Sequence, residues 1–134
     1  MIGLLCGFAL AQTQHETIIP ALAIAGVTSI AAVAPDLDLR LGIKHRGITH
    51  TLIAFALVVV ACAWIPERFW LYIPLGYASH LIADMLTVRG IPLAYPVMRV
   101  RIRLMRLRTG GAVDRMIRIA AALAFLYLVS KSSF

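Results

Sequence analysis

Two polar clusters interrupt an otherwise apolar sequence. The first is Pro35-Asp36-Leu37-Asp38 followed by His45-Arg46-Gly47-Ile48-Thr49-His50; the second is Gly76-Tyr77-Ala78-Ser79-His80 followed by Asp84 and Thr87. Imidazole and carboxylate are the ligands of zinc and of similar divalent metals. Three of the four histidines and three of the six acidic residues lie in these clusters, so they point to a divalent metal, zinc or manganese. His80 and Asp84 are four apart and share one face of a helix. Asp84 sits in an apolar helix, where a lone carboxylate costs about 2.5–3.5 kcal/mol on insertion scales. It therefore requires a cation, a hydrogen-bonded histidine or a metal. Gly47 lets the chain bend between His45 and His50, and Asp36 and Asp38 flank Leu37 in a non-helical turn. His50, in the first turn of its expected helix, His80 and Asp84 form the core of the predicted metal site; Asp36, Asp38 and His45 complete it or act as general base.

A metal held in this way lowers the pKa of bound water toward about 7 and supplies a nucleophile at neutral pH. Lys44, Arg46 and Arg89 are placed to hold an anionic group such as phosphate, so hydrolysis of a phosphoester is the expected reaction. Taken singly, the same residues have plainer readings: a His–Asp pair that only pins helices, or aspartates that cap helix ends and carry loop charge. His15 is expected on the opposite side, as a loop histidine.

The elements that must carry these residues are read from the apolar pattern. Of 134 residues, 61% are hydrophobic and only 14% charged, against about 25% charged in ordinary soluble domains. A chain of this length has room for one domain, 1–134, and too few charges to cover a surface in water; it reads as integral to a membrane. Four apolar stretches, 17–34, 48–65, 70–86 and 116–129, are spans or near-spans by the requirement for about 17–25 residues. Residues 1–11 are too short to cross alone; they read as part of a longer helix or as one packed on the bundle. They lack a basic leading region and a small-residue cleavage site, so no cleavable signal peptide is expected. Pro35, Gly47, Pro66, Gly90 and Pro92 fall between the stretches, Pro20 lies in a first turn, and Pro74 is expected to kink its helix. Cys6 and Cys62 lie inside apolar stretches without ligand spacing and read as small buried hydrophobes.

Charge sets the expected orientation. Arg40, Lys44, Arg46, Arg89, Arg99, Arg101, Arg103, Arg106, Arg108, Arg115 and Arg118 are eleven of the 13 basic residues. All fall in two connections on one side if each stretch crosses once, and the positive-inside rule puts that side in the cytoplasm. Both polar clusters share it. Between residues 98 and 108, Arg99, Arg101 and Arg103 alternate with Val100, Ile102 and Leu104, and the phase slips at Met105. Period-two alternation predicts a short basic strand or hairpin before the last helix. Its arginines are suited to anionic lipid head groups, or serve only as a topology signal. Without interleaved aromatics it is a poor nucleic-acid surface.

The segments PDLD, HRGITHTL and GYASHLIADMLTVRGIPLAYP, in this order and continued by the alternating arginines, TGG and Asp114, resemble the YdjM-like family. These are bacterial inner-membrane proteins classed as metal-dependent hydrolases, some described as LexA-regulated or LexA-binding. The resemblance runs from about Pro35 to Arg118, and the HRG-x-TH and GY-x-SH-x3-D pair is its most specific part. It implies an all-helical membrane fold distantly similar to zinc-dependent phospholipase C and single-strand-type nucleases, with Asp36, Asp38, His45, His50, His80 and Asp84 as ligands. Two departures stand out: the family's Thr-His pair before the first glycine-containing helix is absent ahead of Gly3, and Leu39 stands where members often have histidine after PDLD. They imply fewer metals, weakened chemistry, or a start placed too far downstream.

The expected protein is thus an all-α polytopic membrane bundle of four to five helices in the bacterial inner membrane. Its expected function is metal-dependent hydrolysis of a phosphoester or lipid-linked substrate at the cytoplasmic face. The alternative is a non-enzymatic adaptor that recruits a cytoplasmic protein through the arginine segment. An ion carrier fits less well, because the polar residues gather at one face and not along a path.

Overall fold

Helix boundaries follow from a few residues that can end or begin a helical turn. The computed structural model describes residues 2–14, 17–37, 47–65 and 70–132. Among them are five α-helices: α1 (Ile2–Thr13), α2 (Ile18–Val33), α3 (Leu52–Cys62), α4 (Tyr72–Met85) and α5 (Ala112–Ser132). Short 3-10 turns at Ala34–Asp36 and Ile48–His50 follow α2 and precede α3. Pro20 and Pro74 are each the third residue of their helix, where a backbone N–H has no intrahelical acceptor to lose. The kink expected at Pro74 therefore has no cause: it lies in a first turn and not in the interior. Thr51 moves the start of α3. Its backbone is extended, with φ −110° and ψ 159°, and its hydroxyl oxygen accepts the Ala54 N–H at 3.1 Å while donating to the Ile48 carbonyl at 2.7 Å. Such an N-cap stabilises a helix start by about 1 kcal/mol. It begins α3 at Leu52 and leaves 48–50, expected as helix, in the tighter turn.

Helix α2 packs against α1 and α4, α5 lies on α1, and α3 lies on α4. Two glycines permit the closest of these approaches. A Cβ at Gly7 of α1 would come 2.8 Å from Thr28 Cβ, and one at Gly76 of α4 would come 2.9 Å from Ala31 Cβ while also striking the Thr28 carbonyl. Small residues at such crossings let backbones touch, the main source of helix association where lipid is as apolar as a side chain. Buried Thr28 is satisfied within α2, donating to the Ile24 carbonyl at 2.8 Å. Around this crossing Phe8, Ala11, Ala21, Ile24, Ala25 and Tyr72 form one apolar core, against which Phe125 and Leu128 of α5 pack. Phe8 and Phe125 meet edge to face, with centroids 5.2 Å apart. A second core of Tyr77, Leu81 and Ile91, flanked by Phe55 and Val58, joins α3 to α4.

The arginine-rich segment departs from expectation. No strand forms among the described residues; the segment makes isolated bridges, Thr87 with Leu107 and Ile91 with Ile102. Its N–H groups are used to tie it to the end of α4: Leu104 N–H reaches the Met85 carbonyl at 2.8 Å and Leu107 N–H the Leu86 carbonyl at 3.0 Å. A ladder requires a continuous partner strand, and a helix end offers only single acceptors. Val100, Leu104 and Met105 are exposed along with the arginines.

Among the described residues only α2, over Ile19–Asp36, is both long and apolar enough to cross a membrane by itself. Helices α1 and α3 are apolar but short. Helix α5 has 21 residues, with Asp114, Arg115 and Arg118 in its first two turns.

Candidate metal centre

Three elements deliver side chains to one point. Asp36 ends the 3-10 turn after α2, His50 ends the turn before α3, and His80 and Asp84 lie one helical turn apart on α4. The close seat of Gly76 on Thr28 sets the distance between the first and last of these elements, because His80 is one turn beyond Gly76 and Asp36 about two turns beyond Thr28. His50 is held from behind. Its Nδ1 pairs with the Thr49 hydroxyl at 2.9 Å, and the Tyr77 hydroxyl donates to the Thr49 carbonyl. That arrangement leaves Nε2 facing the other ligands, as second-shell partners of metal-binding imidazoles do.

The Nε2 atoms of His50 and His80 are 3.2 Å apart. Asp36 Oδ1 is 3.4 Å from His80 Nε2 and 3.8 Å from His50 Nε2. Asp84 Oδ2 is 3.4 Å from His50 Nε2 and 3.8 Å from His80 Nε2. The His–Asp separations exceed the 2.7–3.2 Å of direct N–H···O bonds. They suit atoms sharing an ion: ligands at about 2.0–2.2 Å from a tetrahedral centre stand about 3.3–3.6 Å apart. Ligand atoms of Asp36, His50 and His80 all lie within 4.8 Å of one another. His50 is fully buried, while the Asp36 side chain is 37% exposed, so the site opens to its surroundings on the Asp36 side. One carboxylate and two imidazoles, from Asp36, His50 and His80, form a mutually close donor set that fits a divalent cation, and Asp84 lies against both imidazoles beside it.

Of the sequence-expected ligands, Asp36, His50, His80 and Asp84 thus come together. Asp38, His45, Lys44, Arg46 and His15, the last expected in a loop, lie outside the described residues. Arg89 lines a pocket with Arg106 and Arg108 beyond the end of α4. Sequence reasoning missed the roles of Thr49 and Tyr77 in fixing His50. The adjacency of a hydroxyl to a candidate ligand in Thr49-His50 was the available signal.

Comparison with known protein families matches residues 1–133 to the family described as YdjM inner membrane protein. Over 86 residues the chain is 40% identical to inner membrane protein YdjM of Escherichia coli (strain K12), covering 57% of this chain and 43% of that protein. It is 36% identical over 87 residues to the uncharacterized protein YvsG of Bacillus subtilis (strain 168), covering 62% and 53% of the two chains. It is 30% identical over 92 residues to inner membrane protein YbcI of Escherichia coli (strain K12), covering 56% and 52%. The matched region is about half the length of these curated relatives. No solved structure matches the chain. With the family match running almost from end to end, the chain belongs to the YdjM inner membrane protein family.

Proposed function

We propose that this chain is a multi-pass protein of the bacterial inner membrane that holds a divalent metal, zinc or manganese, at its cytoplasmic face. There it hydrolyses a phosphoester or lipid-linked substrate. The observation that carries this reading is the convergence of Asp36, His50, His80 and Asp84 from three elements, with His–Asp and His–His separations of 3.2–3.8 Å. The membrane setting is supported by the names of the relatives YdjM and YbcI and by the length of α2. Outward-facing Ile19, Ile30, Leu57 and Leu123 are exposed, as lipid contact requires. The inward orientation rests on the eleven basic residues in the two connections. Arg99, Arg101 and Arg103 then face anionic lipid head groups.

The ion, when bound, would polarise a phosphoryl oxygen and activate water. His50, His80 and Asp84 are the inner ligands, and burial of His50 and Asp84 excludes bulk water behind them. Asp36, the most open member, is positioned as ligand or as general base, a role shared in this reading by Asp38 and His45. Lys44, Arg46 and Arg89 hold the substrate's phosphate.

Metal analysis of the detergent-purified protein beside His80→Ala and Asp84→Asn tests this directly. Wild type is expected to retain zinc or manganese near one ion per chain and both variants to lose it, together with activity on a phosphate diester. Equal metal in all three would refute the assignment. A second reading, an adaptor for a cytoplasmic protein, draws on the exposure of Arg99, Arg101 and Arg103 beside exposed Val100 and Leu104. Charge reversal at those arginines that abolishes a cellular phenotype, with no effect from the metal-cluster variants, would favour it.

A further inference from the structure

Beyond the end of α4 the chain folds back on itself, and a pocket of about 610 Å³ opens between residues 87–89 and 106–109. That volume lies within the usual range for small-molecule sites. Thr87, Arg89, Arg106, Arg108 and Thr109 line it, with the apolar Val88 and Leu107. The two segments are joined by backbone: Thr87 bridges Leu107, and Val88 N–H donates to the Leu107 carbonyl at 3.1 Å. Main-chain bonding therefore brings three arginines to the lining of one pocket. Among the described residues no carboxylate pairs with any of the three; Asp114, nearest in sequence to Arg106 and Arg108, is taken by Arg118 and by the Gly110 N–H, and Asp84, five residues before Arg89, faces His50 and His80.

We infer that this pocket is a binding site for a phosphate-bearing anion, held by Arg89, Arg106 and Arg108 with a hydroxyl donor from Thr109. Guanidinium forks match phosphate oxygens in bidentate geometry, and several together balance a dianion. No aromatic side chain lines the pocket, so stacking of a nucleobase is not provided for. The site rests on the proposed function through Arg89, which that reading also gives to the substrate's phosphate, and extends it to Arg106, Arg108 and Thr109. It contains none of Asp36, His50, His80 or Asp84, although Thr87 lies only three residues past Asp84 and donates to its carbonyl at 2.8 Å.

The test uses the full chain in detergent, titrated with inorganic phosphate, and in a second arm mixed with phosphatidylcholine vesicles with and without 20 mol% phosphatidic acid (about one lipid in five, a load chosen to expose charge-specific binding). Arg106→Gln/Arg108→Gln is compared with Arg115→Gln/Lys131→Gln, which removes equal charge from exposed positions outside the pocket. The pocket variant is expected to lose tenfold or more in affinity and the control less than twofold. Selective loss with inorganic phosphate identifies a free anion as ligand; selective loss only with phosphatidic acid vesicles identifies a lipid head group, and either upholds the site. Equal losses in the two variants, or none in either arm, overturn it. His80→Ala must bind phosphate as wild type does; a loss as large as in the pocket variant would assign the anion to the metal cluster and overturn the inference.

Discussion

Replacing Gly76 with alanine examines how the fold positions the metal ligands without touching any of them. The new Cβ would stand 2.9 Å from Ala31 Cβ and 3.1 Å from the Thr28 carbonyl carbon. Carbon atoms at optimal contact are about 3.5–4.0 Å apart, so α4 must move away from α2 by about 1 Å. Overpacking of this kind costs about 1–3 kcal/mol, offset in part by the roughly 1 kcal/mol advantage of alanine over glycine in a helix. The effect on the site is larger than the effect on stability. Asp36 and His80 ride on the two separating elements, and their 3.4 Å distance grows to about 4.4 Å. One ion with bonds of about 2.1 Å spans at most about 4.2 Å between opposed ligands. One ligand is then lost, and zinc affinity should fall by at least the roughly 10–100-fold seen for disturbed outer partners. Chelator competition on the detergent-purified variant measures that affinity, with thermal unfolding in EDTA as the stability readout. Gly26→Ala, where a Cβ meets nothing within 4 Å, serves as control and should bind zinc normally. Unchanged zinc affinity in Gly76→Ala would refute the claim that this backbone contact sets the ligand spacing.

Two further outcomes are expected. Thr49→Val removes the Nδ1 partner of His50 and should weaken zinc binding about tenfold, while the metal-free protein melts within a few degrees of wild type; an unaltered affinity would show that Tyr77 and packing orient the ring unaided. Ile30→Asp alters an outward-facing residue of α2 that is 76% exposed. In water such a change is nearly neutral, but facing lipid it costs about 2.5–3.5 kcal/mol of insertion free energy, so the variant should fall sharply in the membrane fraction on blotting. Wild-type levels there would count against α2 as a lipid-facing span.

Much of the site was legible because it depends on local spacing. His80 and Asp84 share a face by helical geometry alone, and a carboxylate in an apolar helix announces that it needs a partner. The bounds of α2 and α4 follow from their apolar runs and nearby prolines, and family membership was readable from the ordered motifs around the two clusters. What went astray locally had local causes: a threonine cap displaced the start of α3, and two-residue alternation suggested a strand where the backbone pairs with a helix end instead. Which aspartate meets which histidine was not legible, since Asp36 and His80 are separated by 44 positions and nothing in their own neighbourhoods encodes the encounter. That pairing depends on the missing side chain at Gly76 and the backbone of Thr28 lying in contact, a property of two helices jointly. The gathering of Arg89 with Arg106 and Arg108 has the same character, because main-chain bonds across a fold-back bring the three to the lining of one pocket. The sequence by itself therefore determined the ligand chemistry and the apolar elements carrying it, through composition and short-range periodicity. Only the tertiary structure decided which of these side chains lie within reach of one ion and which arginines line one pocket, because both depend on long-range contacts between backbones.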